Sequence, residues 1–182
     1  TEGADAVRYD EFGYEALLGL GSVNVRGANI TDTFDVPEGV VLPNDAVRVT
    51  VIERVEHVAK DIIEGPAGRL SAAQAMALDG ALRDLNRAGF AWLDQKANNF
   101  GFAPLDDGSG RWQVVIFDTG GIVPVRGATA AERAARAREI QLIVNGPFEE
   151  IFGIARLDPK FRPAVRRSEV FEAHADDINF TG

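Results

Sequence analysis

Apolar residues along this chain follow two different periods, which predicts a mixed α+β fold. Ala75, Leu78, Leu82 and Leu85 recur at helical spacing, with Ser71 ahead of them as an N-cap and Gly89 behind them as a stop. A second helix is predicted over 129–144, where Thr129 and Glu132 have the spacing of a capping box and Asn145-Gly146-Pro147 ends the run. Tyr9, Phe12, Ala16 and Leu17 suggest a helix over 9–18, halted by Gly19 and Gly21 and preceded by a frayed lead-in. Val47 to Ile52 alternates and is β-branched, as a strand should be. Residues 23–36 read as strand or irregular structure, 53–63 as a segment that turns helical, and 148–154 as a short apolar helix. Phe100 to Phe102 and Trp112 to Phe117 read as two strands joined by a turn at Asp106-Asp107-Gly108-Ser109-Gly110. Their aromatic residues, Phe117 included, are expected in the core.

Composition narrows the chemistry. With 182 residues and a 46% apolar fraction, the chain is long enough to bury a real core. A formal net charge of -9 gives no general attraction to nucleic acid, so no nucleic-acid partner is expected. There is no cysteine, which removes thiolate catalysis and Cys-type metal sites. His57 and His174 are the only histidines, which argues against a multi-histidine metal site. No apolar run approaches the ~20 residues of a membrane span. The chain is expected to be soluble, in a cytoplasm or delivered to a host cytosol.

The chemistry concentrates at Asp94-Gln95-Lys96-Ala97-Asn98-Asn99 and at Phe117-Asp118-Thr119-Gly120. An Asp, a Lys two residues on and an Asn five residues on, followed by a hairpin and a second Asp before Gly, resembles the catalytic loop and metal-binding motif of the protein kinases. That resemblance implies a kinase-like α+β fold, mostly the lower-lobe core with a reduced or missing upper lobe. Residues 1–52 would be remnant upper-lobe elements, a helix and strands, and 53–182 a helical lower lobe carrying the catalytic loop and hairpin. It implies ATP and Mg²⁺, with transfer of a phosphoryl group to a hydroxyl of a protein substrate. Asp94 would orient or deprotonate that hydroxyl, Lys96 would steady the γ-phosphate, and Asn99 and Asp118 would ligate the metal. Hard oxygen ligands are what Mg²⁺ prefers.

Upstream, Val49 to Glu56 resembles the strand that runs into the interlobe hinge, where Glu53 and Val55 would present backbone groups to adenine. Glu15, or Glu11, would be the ion-pairing glutamate of the helix before it. Several family features are replaced or missing. Trp92-Leu93 stand where His-Arg is usual, no Ala-Pro-Glu follows Asp118, and the expected strand lysine is absent. Those departures resemble the compact, atypical effector kinases that some bacteria deliver into host cells, and activity would then require a preceding segment bearing the lysine. They also resemble a pseudokinase or binding module that holds a partner protein without catalysis. Asp118-Thr119-Gly120 on an apolar strand is in addition the signature of an aspartic protease half, which would need a homodimer because the chain carries one copy. Arg133, Arg136 and Arg138 among Glu132 and Glu139 read as a solvated helix face, and Arg162, Arg166 and Arg167 as a surface patch.

Overall fold

A computed structural model describes residues 2–42 and 46–145. The predicted helix at 148–154, the patch at 162–167 and His174 lie outside the described residues. In chain order the elements are α1 (Glu2–Leu20), β1 (Val25–Gly27), β2 (Ile30–Asp35), β3 (Arg48–Ile52), β4 (His57–Val58), α2 (Ala59–Glu64), α3 (Ala72–Arg87), β5 (Phe90–Trp92), β6 (Phe100–Pro104), β7 (Trp112–Ile116), β8 (Ile122–Pro124) and α4 (Ala130–Asn145). The α+β class read from the periodicity is the observed one.

The centre is α3, the helix with the clearest apolar stripe. Ser71 accepts a hydrogen bond from the Gln74 N–H at 3.2 Å, and Gln74 Oε1 accepts one from the Ser71 N–H at 2.9 Å. This capping box satisfies two orphan donors of the first turn. Gly89, at φ +84°, leaves the helix through the left-handed region that glycine tolerates. The stripe itself is buried: Ala75, Leu78, Leu82 and Leu85 all lie in the core. At roughly 1.5–3 kcal/mol per buried leucine, this face contributes more than the caps do.

α3 packs against a four-stranded sheet of order β1-β7-β6-β4. β6 and β7 form the expected hairpin, with Phe100 opposite Ile116 and Phe102 opposite Val114. Trp92, Phe100 and Phe102 are fully buried and meet edge to face, with ring centroids 5.3 and 5.8 Å apart. β5 and β8 form a separate two-stranded pair that places Trp92 opposite Ile122. α4 covers this pair, seating Ala137, Ile140 and Val144 against Ala91, Leu93, Val123 and Val125. Arg136 and Arg138 are exposed on its other face, as the charge pattern predicts, whereas Arg133 is half-buried and donates to the Gly127 carbonyl at 3.0 Å.

Two local expectations change. α1 begins at Glu2 rather than near Tyr9, so the opening residues are helical. Alanines at 4, 6 and 16 and several glutamates favour helix strongly enough to carry Gly3. The 53–63 segment stays extended first: β4 pairs His57 with Phe102 and Val58 with Gly101 before α2 starts at Ala59. A free sheet edge offers the β-branched residues there more than an isolated helix would. Residues 23–36 divide into two real strands. β1 lies parallel to β7, and β2 pairs antiparallel with β3 in a ribbon of its own.

Candidate functional site

The β6–β7 hairpin brings the two chemical segments together. Asn99 directly precedes β6 and Phe117-Asp118 directly follow β7, so antiparallel pairing makes them neighbours at the open end of the hairpin. The Phe117 N–H donates to the Asn99 carbonyl at 2.8 Å. The loop before β6 is equally tied down. The Leu93 N–H donates to the Gly121 carbonyl at 2.8 Å and the Asn99 N–H to the Lys96 carbonyl at 2.9 Å. The Lys60 N–H reaches the Ala97 carbonyl at 2.9 Å, which anchors the loop to α2.

Within this frame Asp94, Lys96, Asn99 and Asp118 form one cluster. Asn99 Nδ2 donates to the Asp94 carbonyl and to Asp94 Oδ2, both at 3.1 Å, and lies 3.5 Å from Asp118 Oδ2. Lys96 Nζ stands 3.0 Å from Asp94 Oδ1. The Gly120 N–H donates to Asp118 Oδ1 at 3.1 Å. Asp94 is largely covered, with its side chain 15% exposed, whereas Lys96 is 62% exposed and free to swing. Asn99 is buried and Asp118 is exposed.

Of the cluster, Asp118 lines a cavity of about 440 Å³ between α1 and the β2–β3 ribbon, and Asp94, Lys96 and Asn99 do not. Asp118, Thr119, Phe117 and Ile116 line one side, Ile30, Thr33, Thr50 and Ile52 another, and Glu11, Tyr14 and Glu15 a third. α1 sits close because residue 13 is glycine: a Cβ there would stand 2.0 Å from the Thr119 carbonyl oxygen. Glu11 carries the ion pair on this helix, with Arg48 Nη1 at 3.0 Å, while Arg48 Nε holds Asp35 Oδ1 at 3.1 Å. Glu15 lines the same cavity but makes no ion pair among the described residues.

Glu53 does structural work through its side chain. Its carboxylate pairs with Arg26 and accepts the Asn29 N–H at 2.8 Å. The Arg26 contact comes first among the causes that hold the Glu53 pKa below its ordinary value. The Glu53 N–H is taken by the Asn29 carbonyl at 2.8 Å. Its own carbonyl and the Val55 N–H make no hydrogen bond among the described residues.

Asp118 and Asn99 are the residues that could hold a magnesium ion, although the amide nitrogen of Asn99, not its oxygen, faces Asp118. Asp118 offers a carboxylate, and Asn99 Oδ1 accepts no hydrogen bond among the described residues while Nδ2 is held by Asp94. Among the described residues no group of three His, Cys, Asp or Glu is placed to hold a metal. A site of one carboxylate and one amide oxygen suits Mg²⁺, which keeps waters and takes phosphate oxygens as further ligands.

Sequence reasoning missed Gly13 and Phe117 as parts of this cavity, and met Arg48 only as an arginine that would mimic the missing strand lysine. Only Arg48 carried a visible signal, a cation at the start of an otherwise apolar strand. Among the described residues no helix is long and apolar enough to cross a membrane. No protein-family model matches the chain, and no curated protein matches it.

Proposed function

We propose that this chain is a kinase-like phosphotransferase that moves the γ-phosphoryl group of ATP to a hydroxyl of a protein, with Mg²⁺ held by Asp118 and Asn99. The observation that carries the reading is the meeting of Asp94, Lys96, Asn99 and Asp118 from two loops, with Asp118 at the wall of the cavity. Asp94 accepts the hydroxyl proton as the oxygen attacks phosphorus, and the bond to the departing diphosphate breaks in line. Lys96 leaves Asp94 for the γ-phosphate, a move its exposure allows, and offsets charge on the equatorial oxygens. Bound Mg²⁺ supplies charge neutralisation across the phosphates. Glu53 and Val55 do not line that cavity, so their backbone groups carry no part of this reading.

A second reading, a module that holds a partner protein without catalysis, draws support from the β2–β3 ribbon. Phe34, Val47 and Val51 are exposed there, an apolar surface suited to a partner.

The test is thermal unfolding of the chain with Mg²⁺ alone and with millimolar Mg²⁺-ATP, repeated on Asp118→Asn. A nucleotide site of micromolar affinity should add about 4 kcal/mol at a thousandfold excess over Kd, and Asp118→Asn should abolish that gain. A kinase also phosphorylates a protein acceptor and loses this with Asp94→Ala. If nucleotide leaves the wild-type midpoint unchanged, the phosphotransferase reading fails and the partner-holding reading stands.

A further inference from the structure

We propose that the groove between α3 and α4 docks a short acidic segment of a partner protein, one with carboxylates at alternate positions of an extended chain. The groove, of about 250 Å³, is lined by Arg83, Asn86 and Arg87 of α3 and by Ala134, Ala135 and Arg138 of α4. Half of that lining is arginine and none of it is acidic, on a chain whose formal net charge is -9. Helical period places the side chains. Arg83 and Arg87 share a face of α3, and Ala134 and Arg138 share a face of α4, because each pair is four residues apart. Packing of α3 on α4 then sets the third arginine across from the first two. Neither reading of the Asp94 loop is needed for this site.

The spacing selects the occupant. Arg83 and Arg87 are separated by about 6 Å along the axis of α3. Side chains two residues apart on one face of an extended peptide are separated by about 7 Å. Alternate carboxylates can therefore meet both guanidinium groups, whereas a single phosphate engages one fork at a time. Ala134 and Ala135, with their short side chains, leave room for the peptide backbone on the α4 side. Arg83 is already oriented, its Nε donating to Asp79 Oδ2 at 2.8 Å. Arg87 Nη1 lies 3.6 Å from Asp84 Oδ1 on a side chain that is 75% exposed, a screened contact that an incoming carboxylate can displace. Arg138 is exposed. The acidity of the rest of the chain repels long polyanions such as nucleic acid, which favours a short segment that reaches the groove alone.

Fluorescence anisotropy of the full chain with a labelled octapeptide of alternating Glu and Ser tests this. Its comparators are an alternating Gln and Ser octapeptide and the same neutral peptide carrying one phosphoserine. Wild type should bind the Glu peptide and not the neutral one. In the double variant Arg87→Gln, Arg138→Gln the Kd should rise at least about tenfold, since two charge-assisted hydrogen-bonding groups are lost. Arg87→Gln alone should raise it about threefold or more, which keeps the test sharp should the double variant unfold. Arg111→Gln, in the β6–β7 turn, should stay within about twofold of wild type. Wild type that does not bind the Glu peptide, or binds the neutral one equally, would overturn the proposal. So would an Arg111→Gln protein weakened as much as the double variant, which would reduce the effect to general charge. Tighter binding of the phosphoserine peptide than of the Glu peptide would make the groove a phosphate site and overturn it too.

Discussion

Gly121 is packed so tightly against Asp94 that a Cβ on it would stand 2.7 Å from the Asp94 Cβ and 2.8 Å from its amide nitrogen. The same glycine accepts the Leu93 N–H, so the start of β8 sets the height of the Asp94 loop. Its φ lies outside the left-handed region, which leaves sterics as the sole reason for a glycine here. Gly121→Ala should push Asp94 away from Asn99 and Lys96. Overpacking of this kind costs about 1–3 kcal/mol, visible as a lower denaturation midpoint. The proposed phosphoryl transfer should fall by about a hundredfold, because a displacement on the order of 1 Å is enough to lose alignment. A fully active, fully stable Gly121→Ala protein would show that Asp94 is not held by this contact.

A buried glutamine stands in for a missing strand beside β5. Gln141 on α4 is fully buried; its Oε1 accepts the Trp92 N–H at 2.8 Å and its Nε2 donates to the Trp92 carbonyl at 2.9 Å. The side-chain amide therefore satisfies the backbone edge that β8 leaves open. Gln141→Leu keeps the volume but strands both Trp92 groups, at a cost of about 1–3 kcal/mol for each unsatisfied group. Urea unfolding should show a loss of at least ~2 kcal/mol. A loss under ~0.5 kcal/mol would mean that water replaces the amide.

Glu53 makes the fold sensitive to acid. Its pKa is lowered chiefly by the Arg26 hydrogen bond, so the charged form is favoured in the folded state. The sign follows directly: stabilisation is fully present above the unfolded value, near 4.5, and is lost as the pH falls through the lower folded value. Glu53→Gln should lower stability at pH 7 by on the order of 1 kcal/mol. The gap between variant and wild type should narrow below pH 4.5. A gap that is constant from pH 7 to pH 3 would assign the effect to packing rather than to charge.

What the amino-acid order determined by itself was local. The Ser71 cap, the leucine stripe of α3, the Thr129 start of α4 and the β6–β7 hairpin all rest on interactions within a few residues, and each can be read along the chain. The proximity of Asn99 and Asp118 was legible for the same reason, since a hairpin turns sequence order into spatial pairing.

Tertiary structure decided the rest. Glu11 rather than Glu15 meets Arg48 because the ribbon's position against α1 selects between two glutamates one helical turn apart. Gln141 reads as one polar residue in a helix until β5 is placed beneath it. Phe117 looks like core in a run of apolar residues, and only the gap above Gly101 shows where its ring goes. Residue types and short-range order set the periods and caps, because those free energies arise within one turn or one hairpin. Which side chains face a common cavity depends on burial shared among elements distant in the chain, and that is settled only when the core packs.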